Sequence, residues 1–202
     1  ALFSEFLRRR FERSASPGEQ RAMWLRAGRL LAEAGETDAG LQRLTEAQAF
    51  DEAALWIIRC APRYVADGRL QALRQHIAAL PAAAAERLAY WRGLCAVDTD
   101  PAAALADMRS ALQACADAAD IDGLLAAAAG ASTALVCSGR VAELDPWIEV
   151  LTAHADRALT ARDDDTDMRL VPGLLAALVY RQPWHALSEP LAERAERLLH
   201  HE

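Results

Sequence analysis

The sequence predicts an all-α protein, an irregular α-solenoid of about 10–11 helices arranged in antiparallel pairs. A motif with the pattern V-x-x-G-R-[LV]-x-x-L occurs twice, at 65–73 and at 136–144. Apolar side chains recur at helical spacing through most of the chain, whereas no segment keeps the two-residue period of a strand. The hydrophobic fraction of 53% consists largely of Ala and Leu and includes few aromatic residues, which favours close-packed helices over sheets.

The first predicted helix covers 2–13, where apolar side chains fall at helical spacing: Leu2, Phe3, Phe6, Leu7 and Phe11. A second helix begins after Ser16. Pro17 suits the first helical position, and Glu19 can complete a capping box with the Ser16 hydroxyl. This helix is expected to end at Gly35.

Three further helices are predicted before Pro81. Thr37 or Asp38 is expected to cap the first of them and Asp51 the second, and the third follows Gly68. Side-chain oxygens at these positions can accept hydrogen bonds from the free N–H groups of a first turn. The remaining helices are predicted at about 82–97, 101–117, 120–138, 143–159, 166–181 and 188–200. Pro146 indicates that the helix at 143–159 begins later than the repeated motif suggests.

Three glycines are predicted to be structural joints between helices: Gly35, Gly68 and Gly139. Each follows an apolar helix and precedes a new one, where the left-handed cap conformation suits glycine because it carries no Cβ. The spacing of the predicted turns brackets the 34-residue period of tetratricopeptide repeats, although no segment carries the full consensus of that repeat. Solenoids of this kind mostly bind other molecules.

The charge argues against direct contact with nucleic acid. The formal net charge is −7 and all 22 basic residues are arginines, whereas a duplex binder needs a basic face that releases counterions. The most apolar run, 121–137, is too short and too often interrupted by polar residues for a membrane span. The four cysteines form no C-x-x-C pair, so free thiols and a reducing cytoplasm are expected.

No catalytic or metal-binding residue is predicted. The sequence has no G-x-x-x-x-G-K-[ST] loop and no H-E-x-x-H motif, so no cofactor is expected in this segment and the chain is not expected to be an enzyme. The best candidates for a ligand-binding role are Trp91, Arg92 and Trp147, which fall in central helices. A tryptophan there can stack on a ligand or anchor a partner, but packing at a helix crossing is the alternative explanation.

Residues 2–81 resemble a known family. The segment 2–11 is similar to the L-F-x-x-F-L-R-x-R-L helix that closes the winged-helix-like module of MalT-like, ATP-dependent LuxR-family regulators, which are signal-transduction ATPases with numerous domains. The segment 48–54 is similar to their A-G-D-W-x-x-A-A step, and 64–81 to L-x-x-G-R-x-x-x-L-x-x-W-L-x-x-L-P. His76 stands where that last pattern has Trp, and beyond residue 81 the likeness is only that of helical repeats.

The resemblance implies that 1–34 are the terminal helices of an upstream winged-helix-like module and that 35–202 are a helical-repeat sensor domain. Such a domain binds a small-molecule inducer or a regulatory protein, contacts other domains of its regulator, and controls autoinhibition and oligomerisation. ATP is expected only in an upstream domain. The alternative is a stand-alone helical-repeat scaffold for protein–protein interaction.

Overall fold

The structure is a computed structural model that describes residues 15–160 and 162–200. Within these ranges the chain forms twelve α-helices packed in pairs and no strand, which confirms the all-α prediction. The chain divides into two compact units, one ending at Ala85 and the other beginning at Glu86. The helix predicted over 2–13 lies outside the described residues, and the domain boundary predicted after residue 34 stays a prediction.

The first unit contains α1 (Pro17–Glu33), α2 (Thr37–Glu46), α3 (Phe50–Ala66) and α4 (Leu70–Ala78), and the short α5 (Ala82–Glu86) runs to the first residue of the second unit. Each of the first three helices packs on the next one along the chain. The capping box predicted at the start of α1 is present, because the Ser16 N–H donates to Glu19 Oε2 at 2.8 Å and the Glu19 N–H donates to Ser16 Oγ at 3.3 Å. The caps predicted for α2 and α3 are wrong: neither helix has a side-chain cap.

The second unit contains α6 (Ala89–Ala96), α7 (Pro101–Asp117), α8 (Ile121–Cys137), a 3₁₀ turn (Val141–Glu143), α9 (Asp145–Ala153), α10 (Ala155–Leu159), α11 (Asp164–Arg181) and α12 (Ser188–Leu199). The helix count exceeds the predicted 10–11 because two predicted helices are broken. At Leu88 (φ −108°, ψ 16°) and at His154 (φ −123°, ψ 33°) the backbone leaves the helical region. The start of α9 at Asp145 agrees with the late start indicated by Pro146.

The core of the second unit is built around α8, which packs against α6, α7, α9, α10 and α11. Small residues allow this close approach. A Cβ placed on Gly173 of α11 would lie 2.9 Å from the carbonyl carbon of Ala129, and one on Gly130 would overlap the Met108 side chain. Among the described residues, no helix combines the length and apolar character that a bilayer crossing requires.

The three predicted joints have positive φ angles: 85° at Gly35, 67° at Gly68 and 71° at Gly139. The hydrogen bonds at each joint form a Schellman motif. At the second joint, for example, the Gly68 N–H donates to the Val65 carbonyl at 3.0 Å and the Arg69 N–H donates to the Tyr64 carbonyl at 2.7 Å. The same motif ends α2 and α7 without glycine, because Gln48 (φ 59°) and Ala119 (φ 53°) adopt the left-handed conformation.

Candidate functional site

A recess of about 200 Å³ lies between α6, α8 and α11 in the second unit, and Trp91 lines it. The Tyr90 ring meets the Trp91 ring edge to face, with 4.8 Å between the ring centroids. Gly123 and Ala126 contribute to the α8 wall, and Leu170 contributes to the α11 wall. The recess is therefore mainly aromatic and apolar.

Arg169 of α11 supplies the positive charge of this recess. Its guanidinium carbon lies 5.9 Å from the centroid of the Trp91 ring, within the range of a cation–π contact. Its Nη2 donates to Thr166 Oγ1 at 3.2 Å. Within the described part of the chain, Arg169 forms no ion pair with a carboxylate.

Tyr90 supplies a hydroxyl group that makes no hydrogen bond to any of the described residues. Burial raises the pKa of Tyr90, and the nearby positive charge of Arg169 lowers it in part. The phenol is therefore a neutral donor near the guanidinium. Arg169 thus offers N–H donors and Tyr90 offers an O–H donor, and the Tyr90 hydroxyl has no acceptor among the described residues.

Asp122 lies at the edge of the same recess, but its charge is already compensated. Arg157 Nε donates to Asp122 Oδ1 at 2.9 Å, and Arg162 Nη2 donates to the same oxygen at 2.8 Å. Hydrogen bonds from Arg157 outweigh the effect of burial, and with those from Arg162 they lower the pKa of Asp122 to about 2. Two guanidinium groups thus balance this carboxylate. Hydrogen bonds from Thr166 and, to a smaller extent, the charge of Arg169 lower the pKa of Asp163, which forms no ion pair with Arg169.

The other two predicted ligand residues lie elsewhere. Arg92 faces α7, where its Nε donates to Asp107 Oδ2 at 2.8 Å, and it does not line the recess. Trp147 is only 5% exposed and packs in the apolar core of the second unit. Its ring therefore packs between helices, which is the alternative explanation given for the tryptophans from the sequence. No face of the ring is available to a ligand. Tyr90 and Arg169 were missed, because no sequence motif links α6 to α11.

A second surface feature of this unit is an apolar groove of about 390 Å³ between α11 and α12. It is lined by Met168, Pro172, Leu175, Ala176, Val179, Tyr180, Ala195, Leu198 and Leu199. Four of these side chains are more than half exposed: Met168 (52%), Val179 (53%), Tyr180 (61%) and Leu199 (70%). A contiguous exposed apolar surface of this kind marks a binding site more often than isolated exposed side chains do.

The first unit holds a polar cluster around Asp38 of α2, beside a recess of about 300 Å³. Asp38 accepts hydrogen bonds from the Tyr64 hydroxyl, from Arg69 Nη2 at 2.5 Å and from His76 Nε2 at 2.9 Å. Burial opposes ionisation of Asp38, but these hydrogen bonds outweigh it and hold its pKa at about 2. The cluster joins α2, α3 and α4, and its carboxylate is occupied by protein donors, which indicates a structural role.

No group of three or more His, Cys, Asp and Glu residues in the described ranges is arranged to hold a metal ion. No family model matches the chain, and neither the curated proteins nor the solved structures give a match. The resemblance of 2–81 to MalT-like regulators therefore stays a prediction.

Proposed function

We propose that this chain is a helical-repeat binding domain that docks an amphipathic helix of another protein in the groove between α11 and α12. The observation that carries the proposal is the set of four large apolar side chains that lie together in this groove and remain more than half exposed. Helix-in-groove recognition places apolar anchors of one helix between two others.

The packing of the second unit supports a helix as the occupant. Three helices contact one another in the set α6, α7 and α8, and again in the set α8, α9 and α11. The pair α11 and α12 has no such third helix over its apolar groove within the described residues. A helix with an apolar stripe would complete the same three-helix arrangement.

The charge next to the groove favours a basic occupant. Asp164 and Asp165 lie four and three residues before Met168 on α11, so they share the face of the helix that opens into the groove. Both side chains are exposed, and neither forms an ion pair with a described residue. Lys or Arg beside the apolar stripe of the occupant would complement these carboxylates.

The groove supports moderate affinity. Covering each of the four half-exposed side chains contributes about 1 kcal/mol, because each is already partly buried. The apolar stripe of the occupant is buried as well, and the sum must first offset the freedom lost on association, so a Kd on the order of 0.1–1 mM is expected. Binding of this strength suits an interaction that is formed and released readily.

The test uses a labelled 18-residue amphipathic peptide of Leu and Lys, with binding measured by fluorescence anisotropy. The double variant Val179→Gln/Leu199→Gln should weaken binding at least tenfold, because it removes two anchors without changing the charge. Leu30→Gln/Leu55→Gln is the matched control, since these side chains in the first unit are similarly exposed. It should bind the peptide as the unchanged chain does, and circular dichroism confirms that all variants are helical.

Two results would overturn the proposal. Equal loss of peptide binding in the groove variant and in its control would show non-specific adhesion. A dimer that becomes a monomer in the groove variant would show that a second copy of the chain covers the groove. A peptide with Glu in place of Lys should bind more weakly, and stronger binding would contradict the basic occupant.

The finer proposal is that this domain belongs to a cytoplasmic, ATP-dependent transcriptional regulator of the MalT-like kind. The motifs of 2–81 support it, and the groove would then receive a regulatory protein or another domain of that regulator. A parent reading frame that encodes an upstream phosphate-binding loop and a downstream helix-turn-helix would agree with it. A reading frame that encodes neither of these elements would contradict it and favour the stand-alone scaffold.

A further inference from the structure

We infer that the recess between α6, α8 and α11 binds a small monocarboxylate, held by Arg169 and Tyr90 with its apolar part against Trp91. This site is separate from the groove of the proposed function, and none of its lining residues lines that groove. The two proposals can therefore fail independently of each other.

The first step is the state of Arg169. The other partly or fully buried arginines of this unit have carboxylate partners: Arg92 with Asp107, Arg162 with Asp122 and Arg194 with Asp167. Arg169 is half-buried and forms no ion pair in the described part of the chain. Asp163 lies close enough for its pKa to be lowered, after the effect of the Thr166 hydrogen bonds, by the charge of Arg169. Because a partly desolvated guanidinium gains from a direct ion pair, which the described residues do not supply to Arg169, this position favours an anionic ligand.

The second step is the donor set. A guanidinium presents parallel N–H groups that match the two oxygens of a carboxylate. The Tyr90 hydroxyl can donate a further hydrogen bond, since it has no acceptor among the described residues and burial keeps it protonated. These donors suit one anionic head group.

The third step is the size and polarity of the space. The recess of about 200 Å³ has room for roughly six water-sized groups, which is smaller than the sites of drug-sized ligands. Its remaining surface is provided by the Trp91 ring, by Gly123 and Ala126 of α8 and by Leu170 of α11, with Thr166 and the twice-paired Asp122 at its edge. A phosphate would place polar oxygens against this apolar wall, whereas a carboxylate of two to five carbons places an alkyl chain there.

The test follows the five tryptophan indole N–H signals by NMR while sodium propionate is added to the unchanged chain. The Trp91 signal, assigned with Trp91→Phe, should shift with a Kd of about 1–10 mM, and the Trp147 signal should stay in place. Propionamide has the same shape without the charge, and it should produce at least tenfold weaker binding. Inorganic phosphate should also bind at least tenfold more weakly.

Variants then assign the donors. Arg169→Gln should weaken propionate binding at least tenfold, Arg169→Lys should have an intermediate effect because it keeps the charge without the fork, and Tyr90→Phe should weaken binding several-fold. Arg197→Gln is the matched control, because Arg197 is an exposed arginine of the neighbouring α12 without a carboxylate partner in the described residues. It should leave the affinity unchanged.

Several outcomes would overturn the inference. Equal shifts with propionamide would show that the charge has no role, and equal affinity for phosphate would show an anion site without preference for carboxylates. Shifts of all five indole signals together would show a non-specific effect. Arg169→Lys and Tyr90→Phe are conservative variants whose fold is checked by circular dichroism. If both bound propionate as tightly as the unchanged chain, Arg169 and Tyr90 would not be the donors.

Discussion

Replacing Ala119 by Gly should stabilise the protein, although it removes a methyl group from the end of a helix. Ala119 has a φ of 53° in the Schellman motif that ends α7. A residue with a Cβ loses about 1–2 kcal/mol in this conformation. Glycine avoids that loss, but the greater freedom of the unfolded chain costs about 0.4–1 kcal/mol. The net gain is about 0.5–1 kcal/mol.

The reverse change provides an internal check. A Cβ added to Gly139, which has a φ of 71°, would meet no heavy atom within 4 Å. The strain of the backbone is therefore the only native-state cost of Gly139→Ala, which should destabilise by about 0.5–1 kcal/mol. The double variant Ala119→Gly/Gly139→Ala should return close to the stability of the unchanged chain, since the two changes act through the same backbone effect at separate sites.

The assay is equilibrium unfolding in urea and by heat, followed by circular dichroism. A gain of 1 kcal/mol corresponds to a rise of about 2–4 °C in Tm for a chain of this size. Ala118→Gly is the matched control, because Ala118 precedes Ala119 with a φ of −88° and gains nothing from glycine. It should lower the Tm. A lower Tm for Ala119→Gly as well would refute the strain argument.

Two further predictions concern the polar clusters and the core. Stability should fall as the pH drops from about 4 towards 2, because the folded-state pKa values of Asp38 and Asp122 are about 2, below the ordinary value of 3.8. Their stabilisation is complete above the unfolded pKa and is lost as the pH falls through the folded one. The difference between the urea midpoints at pH 6 and pH 2.5 measures this loss of stability. The prediction would be contradicted if a double Asp38→Asn/Asp122→Asn variant lost as much stability between these two pH values as the unchanged chain does. Gly173→Ala should destabilise by about 1–3 kcal/mol, since its Cβ would overlap the Ala129 backbone. Gly18→Ala in α1, where a Cβ meets nothing within 4 Å, should stabilise slightly, and similar urea midpoints for the two variants would contradict the packing argument.

The helix boundaries show what the sequence could predict. Ser16 correctly indicates where its helix begins, because an N-cap needs only a side-chain oxygen and the adjacent backbone. The glycine joints are local in the same sense, and Gly68 occupies the turn that its sequence indicates. The equivalent turn at Ala119 carries no such signal. There the packing of the helices on both sides holds a residue in a conformation that its own side chain disfavours.

The candidate recess could be predicted only in part, for a related reason. The sequence indicates Trp91 as a candidate because it falls in a central helix, but the helical period specifies only which side chains share a face of one helix. It cannot specify that α6 and α11 meet on α8, because that depends on the small residues that let α8 and α11 approach closely. Arg169 consequently looks like an ordinary exposed charge in the sequence, and it becomes a half-buried cation over Trp91 only when the helices are assembled. The chemistry of this site is thus a property of tertiary packing, whereas the joints that position its helices are encoded locally.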